Sequence, residues 1–306
     1  MKFKSLTKDI FYLFSQTYKE WIKDDPFEMS ASVAYYAILS LPALLIIVIN
    51  IAGVIFGKEA VEGKIALEIG SVLGEEAGSI IQGIVANASL KSSSRFAAFM
   101  GWGTLIFGAT GVFIALQKSI NKVWEVRVNP KSGILRYIIS RLTSFAIIVF
   151  IGVLIFVFIL ISTVLNAISA WLTELFPYQL ISWFFILNFL VSFGIITLLF
   201  AIIYKYLPDV KIAWGSVWFG AALTSFLFVV GKLAMGFYFV HMNPASAYGA
   251  AGSLILIMIW ISYSSLILFF GAEFTHVYAK KYGYSIKYSK YAMKMEDFYK
   301  EKYKDS

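Results

Sequence analysis

The chain has no cysteine among its 306 residues. Disulfides, thiolate zinc sites, iron–sulfur clusters and cysteine nucleophiles are therefore excluded. Histidine is scarce, with only two residues, and the HExxH, GxxxxGK[ST] and GxSxG motifs are all missing. The acids are scattered over separate loops, whereas hydrolysis by two metals needs clustered carboxylates. We therefore expect no bound metal, no cofactor and no enzymatic activity.

Charge is also scarce, at 14% of residues, whereas apolar residues make up 59% and the mean hydropathy is +0.77. A soluble domain cannot bury that much apolar surface. A spanning helix needs about 20 apolar residues. The sequence predicts an all-α polytopic membrane protein with six transmembrane helices and interfacial amphipathic helices. The predicted spans are 31–56, 96–116, 140–168, 180–203, 212–238 and 252–274.

The formal net charge is +8, and the lysines and arginines are unevenly distributed. They concentrate in every second connection between spans, which puts most of them on one side of the membrane. They fill the N-terminal segment, the connection from Lys118 to Arg141, the short connection after the fourth span, and the tail. By the positive-inside rule this places both termini in the cytoplasm. The predicted divisions are a cytoplasmic amphipathic segment 1–30, a membrane domain 31–274 and a basic cytoplasmic tail 275–306. No cleavable signal is expected.

Three regions outside the spans have distinct patterns. Residues 5–23 have an amphipathic helical period and are expected to lie at the lipid interface, followed by a turn at Asp24–Pro26. The extracytoplasmic loop 57–95 keeps a helical period, which fits helices lying on the membrane domain or a lid over a cavity. The tail mixes lysines with tyrosines, a composition that favours contact with anionic lipid headgroups over nucleic acid.

Proline and small residues mark positions of bending or close packing. Pro42 removes a hydrogen bond from the first span and predicts a kink, with Tyr36 or Ser40 nearby to compensate. The kink is either a packing solution or a hinge. Asn50 is costly in lipid and is expected to face protein. Small residues line one face of the second span and of the fifth, where they permit helix association or sliding; they include Gly101, Gly108, Gly111 and Gly220.

Lys232 and Glu273 are the ionisable residues set within otherwise apolar spans. Such charges are candidate parts of a substrate path. Each is equally well explained as an edge residue, with Lys232 reaching outward and Glu273 capping a cytoplasmic end. The helices are antiparallel, so the two side chains are not expected to pair. Ser225 and Ser262 extend these faces as polar path candidates. His241 and His276 are each predicted just beyond a span, on opposite sides of the membrane.

Four segments resemble the YihY/BrkB family of bacterial inner-membrane proteins, once labelled ribonuclease BN. They are SASVAYYAILSLPALL at 30–45, FGATGVFIALQKSINKVW at 107–124, KYLPDVKIAWGSVWFGA at 205–221 and YGAAGSLILIMIWISYSSLILFFGAEF at 248–274. Leu41 precedes Pro42 where the commoner family form has an aromatic. Besides Lys232 and Glu273, the residues at recognisable family positions are Tyr248, Gly249, Trp260 and Gly271.

The resemblance implies six membrane helices and a role in transport, with a lipid or another envelope component as substrate. Two alternatives stay open. The chain could be a membrane scaffold that holds partners through its loops and tail, or a ribonuclease as in the old label. Membrane lipids are the expected partners, and a homo-oligomer is neither predicted nor excluded.

Overall fold

The computed structural model describes residues 2–57, 62–67, 70, 78–79, 82–83, 111–128, 146, 150, 152, 164, 178–242, 252–289 and 292–302. Most of the predicted second and third spans and of the loop 57–95 lie outside these residues. Gly101, Gly108, Tyr248 and Gly249 lie outside them as well.

Helices dominate the described chain. In chain order they are α1 (Lys2–Lys23), α2 (Pro26–Phe56), α3 (residues 111–123), α4 (Tyr178–Tyr206), α5 (Trp214–Met242), α6 (Gly252–Lys281) and α7 (Met295–Lys302). The predicted turn at Asp24–Pro26 is present, because Asp25 adopts a left-handed φ of 54° and Pro26 opens α2. Pro is well suited to the first helical position, since its missing N–H has no helical partner there.

Three described helices are long and apolar enough to cross a membrane, within Phe189–Tyr206, Trp214–Phe239 and Leu254–Lys281. They correspond to the predicted fourth, fifth and sixth spans. The predicted first span lies within the single helix α2, which includes Pro42. The full set of six spans stays a prediction.

The last long helix is the centre of the described packing. α6 packs against α5, α2 and α1, and α4 packs against α5. α6 also runs further than the sequence indicated, to Lys281 rather than 274. Lys280 and Lys281 in its last turn favour this extension, since cations stabilise helix C-termini. Gly283 ends the helix with a φ of 69°, a conformation that glycine adopts without strain.

The described chain is mostly helical, as predicted, and four short strands form among its described residues outside the long helices. They are β1 (Val126–Val128), β2 (Val210–Lys211), β3 (Lys287–Tyr288) and β4 (Ala292–Lys294). β1 pairs antiparallel with β4, and β2 pairs antiparallel with β3. Residues 287–288 and 292–294 of the tail are therefore bound to the connections that follow α3 and α4.

Candidate functional site

Glu273 and His276 lie side by side on α6. Residues three apart share one face of a helix, and His276 Nδ1 lies 3.5 Å from Glu273 Oε1. This is too long for a strong hydrogen bond. Only 2% of Glu273 and 4% of His276 are exposed. Two expectations are corrected: His276 lies inside the helix, and Glu273 does not cap its end, because α6 continues to Lys281.

The amphipathic helix α1 covers this part of α6 in antiparallel orientation. Lys281 Nζ donates to Asp9 Oδ1 at 2.7 Å, near the start of α1. Near its end, the Trp21 ring meets the Phe270 ring edge-on, with 5.7 Å between centroids. Leu13 packs with Phe274 and Val277 between these points. Thr17 and Glu273 each fall between the same two contacts on their own helices, so α1 closes over the acid.

The end of α3 supplies the third wall. The Trp124 ring lies 4.8 Å from the His276 ring, centroid to centroid. Both side chains are almost fully buried. We refer to Glu273, His276, Thr17, Trp21 and Trp124 as the Glu273 cluster.

The Glu273 cluster contains several polar atoms whose hydrogen-bonding capacity is unused. Within the described chain, four of its buried atoms have no hydrogen-bond partner: Thr17 Oγ1, Trp21 Nε1, Trp124 Nε1 and His276 Nδ1. An unsatisfied buried polar group costs about 1–3 kcal/mol. Such groups concentrate where a protein has a function to serve or binds a water or ion.

Asp24 lies close enough to this cluster to feel the charge of Glu273. Burial, together with the negative charge of Glu273, raises the pKa of the Asp24 carboxyl to about 6, although Lys122 acts in the opposite direction. Asp24 is half-buried at the α1–α2 turn. Its backbone carbonyl accepts a hydrogen bond from Lys122 Nζ at 2.5 Å, which ties the turn to α3.

A second polar arrangement holds the connections together beside the cluster. Asn121 Nδ2 donates to Asp209 Oδ2 and Asn121 Oδ1 accepts from the Asp209 amide, each at 2.8 Å. Asp209 O accepts from the Ser289 amide at 3.0 Å, and Glu125 O accepts from the Met295 amide at 2.9 Å. The tail thereby fixes the end of α3, which positions Trp124.

Glycine allows α5 and α6 to cross closely. A Cβ on Gly220 would overlap the Thr275 hydroxyl, and one on Gly271 would overlap the Thr224 hydroxyl and lie 2.5 Å from the Tyr204 hydroxyl. The fully buried Tyr204 donates to Leu268 O at 2.8 Å and lies 2.8 Å from Thr224 Oγ1. This crossing joins α4, α5 and α6 immediately beside Glu273.

The remaining candidates from the sequence lie apart from this cluster. The side chain of Lys232 is exposed on α5, and no ion pair joins it to Glu273 in the described structure. Ser225 is buried and donates to Ala221 O on its own helix. Ser262 Oγ donates to Ser30 Oγ on α2 at 3.2 Å. These polar residues do not form one track.

Two further sets of candidates make helix contacts. Gly111 on α3 faces α2, where an added Cβ would lie 3.3 Å from the Tyr36 ring and 3.6 Å from Ser40 Oγ. The Trp260 ring meets the Phe228 ring of α5 edge-on at 5.9 Å. Asn50 lies in α2, but its side chain is outside the described set.

Sequence reasoning missed four members of the Glu273 cluster. His276 was placed outside the helix because the span was ended at 274. With the helix continued, its spacing of three from Glu273 would have identified the pair. Thr17 and Trp21 carried a weaker signal, since their spacing of four puts them on one face of α1. Trp124 comes from a distant segment and had no such signal. Among the described residues, no three His, Asp or Glu side chains are grouped to hold a metal ion.

Comparison with known proteins identifies related membrane proteins. The family model described as Virulence factor BrkB matches residues 17–296. A UPF0761 membrane protein of Tolumonas auensis is 28% identical over 61% of this chain and 59% of its own length. One from Saccharophagus degradans is 23% identical over 91% of this chain and 62% of its own length.

A third relative, from Alteromonas mediterranea, is 24% identical over 88% of this chain and 87% of its own length. For the first two relatives, the chain spans less than two thirds of the length of the protein it matches. No solved structure matches the chain.

Proposed function

Because this chain belongs to the virulence factor BrkB family of membrane proteins, we propose that it is a transporter that moves a lipid or another envelope component. The observation that carries the proposal is the Glu273 cluster, a buried acid and histidine within an apolar helix long enough to span. Its setting would be the bacterial inner membrane, with both termini in the cytoplasm.

An ionisable residue inside a spanning helix is energetically costly, and such residues usually mark a substrate or ion path. Glu273 and His276 lie where α1, α3 and α6 meet, and four buried polar atoms around them are unsatisfied. A purely structural cluster gains stability by satisfying such atoms. The arrangement therefore favours a site that changes its partners during a transport cycle over a static scaffold.

Lys232 would act separately from the Glu273 cluster, by attracting an anionic group. It is exposed on α5 among the exposed apolar residues Val230, Leu233 and Phe237. A lysine in an apolar helix face attracts anionic groups such as a lipid phosphate. Lys232 would draw an anionic substrate toward the helices from the opposite side to Glu273. In the tail, the exposed Lys287 and Lys294 would contact anionic headgroups in the same manner.

The test is reconstitution of the purified full chain in liposomes that contain a fluorescent anionic lipid. Wild type should move the lipid between leaflets faster than protein-free liposomes, and Glu273→Gln should reduce the rate at least tenfold. Glu296→Gln is the matched control, because the Glu296 side chain is 72% exposed on α7. Equal rates in Glu273→Gln and wild type would remove the site from the proposal.

Lys232→Ala separates the capture of an anionic group from the central site. The variant should move a zwitterionic lipid at the wild-type rate and an anionic lipid more slowly. Unchanged transport of both lipids would exclude Lys232 from the mechanism. If liposomes with the wild-type protein move no lipid faster than protein-free liposomes, the proposal of lipid translocation is wrong.

A further inference from the structure

We propose that Glu273 and His276 together bind one exchangeable proton, which reaches the solvent through Asp24. This goes beyond the proposed transport function, and its binding part stands without it. A carboxylate and an imidazole 3.5 Å apart, both almost fully buried, are two bases that can share a single proton. A proton suits a site this closely packed, because it needs no cavity for its own volume.

The Glu273 cluster also has unused hydrogen-bonding capacity. His276 Nδ1 is unsatisfied on the side that faces Glu273, and the Trp124 ring contacts the His276 ring in a tilted arrangement. Thr17 Oγ1 is a fully buried, unsatisfied hydroxyl on the helix that closes over Glu273. A hydroxyl can donate or accept, so it can bond to a neighbouring group in either protonation state.

The other charged groups around the pair are few, and they come from known elements. α1 contributes Glu20 and Lys23, the α1–α2 turn contributes Asp24, and α6 contributes Lys280 beyond the pair. The segment that follows α3 contributes Glu125, and Lys122 near the end of α3 is bound to the α1–α2 turn.

α2 and α5, which also pack on α6, place no charged residue near the pair. α2 carries a single charged residue, the exposed Glu28 at its start. α5 carries Lys232 and His241, both in the half of the helix distant from Gly220 and its crossing with α6. Acidic and basic groups around the pair are therefore similar in number. No large excess of one charge holds the pair in its protonated or its deprotonated state.

Asp24 is suited to pass the proton on. It is half-buried, so the residue is partly accessible to water, and Glu273 is close enough for its charge to act on Asp24. A pKa of about 6 lets this carboxyl take up and release protons near neutral pH. Asp25, the next residue, is largely exposed and pairs with Lys122 at 3.5 Å instead.

The chain offers a clean probe, because it has only two histidines. In His241→Gln the remaining histidine is His276, and His241 is exposed on α5, so its loss should not disturb the cluster. We expect ¹⁵N NMR of the histidine-labelled full chain in nanodiscs to show His276 changing protonation state with pH. A His276 signal that keeps one protonation state from acid to alkaline pH would overturn the proposal. This experiment leaves every residue of the Glu273 cluster unsubstituted.

Tryptophan fluorescence gives the second measurement. A protonated imidazole in contact with an indole quenches its fluorescence, and the Trp124 and His276 ring centroids are 4.8 Å apart, so emission should fall as the pH is lowered. The quenching step should disappear in Trp124→Phe and in His276→Gln, and should change its position on the pH axis in Glu273→Gln. His241→Gln should keep it. If His276→Gln retains the step, or Glu273→Gln titrates as wild type does, the shared proton is refuted.

The route through Asp24 is tested by the solvent exchange of the His276 ring proton. Exchange should slow several-fold in Asp24→Asn and stay unchanged in Asp25→Asn. Equal rates in the two variants would exclude Asp24 as the route. Because these measurements need no substrate, their failure is distinct from that of the transport assay, which can fail while His276 still titrates.

Discussion

A methyl group added at Gly271 should destabilise the protein, whereas the same addition at Gly236 should not. At Gly271 the new Cβ would overlap the Thr224 hydroxyl and lie 2.5 Å from the Tyr204 hydroxyl. At Gly236, also within a long apolar helix, nothing lies within 4 Å of the new Cβ. The pair therefore separates close packing from the intrinsic effect of alanine in a helix.

The expected size follows from opposing contributions. Alanine gains about 1 kcal/mol over glycine in a helix interior. Overpacking a close contact costs about 1–3 kcal/mol, and displacing the Tyr204 hydroxyl from Leu268 O loses about 1 kcal/mol more. Gly271→Ala should thus lower the free energy of unfolding by about 2 kcal/mol, since Thr224 Cβ cannot move away as a flexible side chain would. Gly236→Ala should be neutral or stabilising by up to about 1 kcal/mol.

The assay is reversible unfolding of the purified full chain in mixed micelles, followed by circular dichroism. Gly220→Ala provides an independent check, because its Cβ would overlap the Thr275 hydroxyl from the opposite helix. It should resemble Gly271→Ala. If both variants are as stable as Gly236→Ala, α5 and α6 do not cross at these glycines and the reasoning fails.

Three further predictions concern the same region. Tyr204→Phe should lower the free energy of unfolding by about 1–2 kcal/mol, because the buried Leu268 carbonyl and Thr224 hydroxyl each lose a hydrogen bond to the Tyr204 hydroxyl; Tyr206→Phe, at an exposed position, should change little in the same micelle assay. For Asp24, the folded pKa of about 6 exceeds the ordinary value of 3.8, so the folded state binds more protons in that window and stability falls as pH rises through it. Asp24→Asn should therefore unfold at higher temperature than wild type above pH 6 and match it below 3.8, and a gap that instead widens in acid would contradict the sign. Removal of residues 285–306 should lower the melting temperature, because β1 and β2 lose their partner strands; an unchanged melting temperature would mean that these pairings contribute nothing.

Deletion of the tail does not separate a scaffold from a transporter. A tail that served only to bind partners could be deleted without effect on the membrane domain. Here the tail pairs with the segments that follow α3 and α4, and Met295 N donates to Glu125 O beside Trp124. Deletion would disturb transport and partner binding alike. Substitution of the exposed Lys287 and Lys294 by glutamine tests partner contacts while leaving the strand pairings intact.

Sequence alone determined the class of protein and the long apolar helices. Length and lack of charge suffice for this, since a bilayer excludes charge over a fixed thickness, and α4, α5 and α6 follow the predicted segments. Glu273 also stood out, because an acid in an apolar run is conspicuous. The family was identified from short segments such as YGAAGSLILIMIWISYSSLILFFGAEF and agrees with the family match.

Only the tertiary structure decided what surrounds Glu273. Helical periodicity gives the face of a residue but not which distant segment covers it, so Thr17, Trp21 and Trp124 could not be assigned to the acid in advance. The strand pairings of the tail could not be predicted for the same reason: strands of two or three residues have no periodic signal, and their pairing with β1 and β2 joins residues far apart in the chain. Hydropathy reports the solvent that a segment prefers, whereas the contacts that bury a charge depend on how the helices pack.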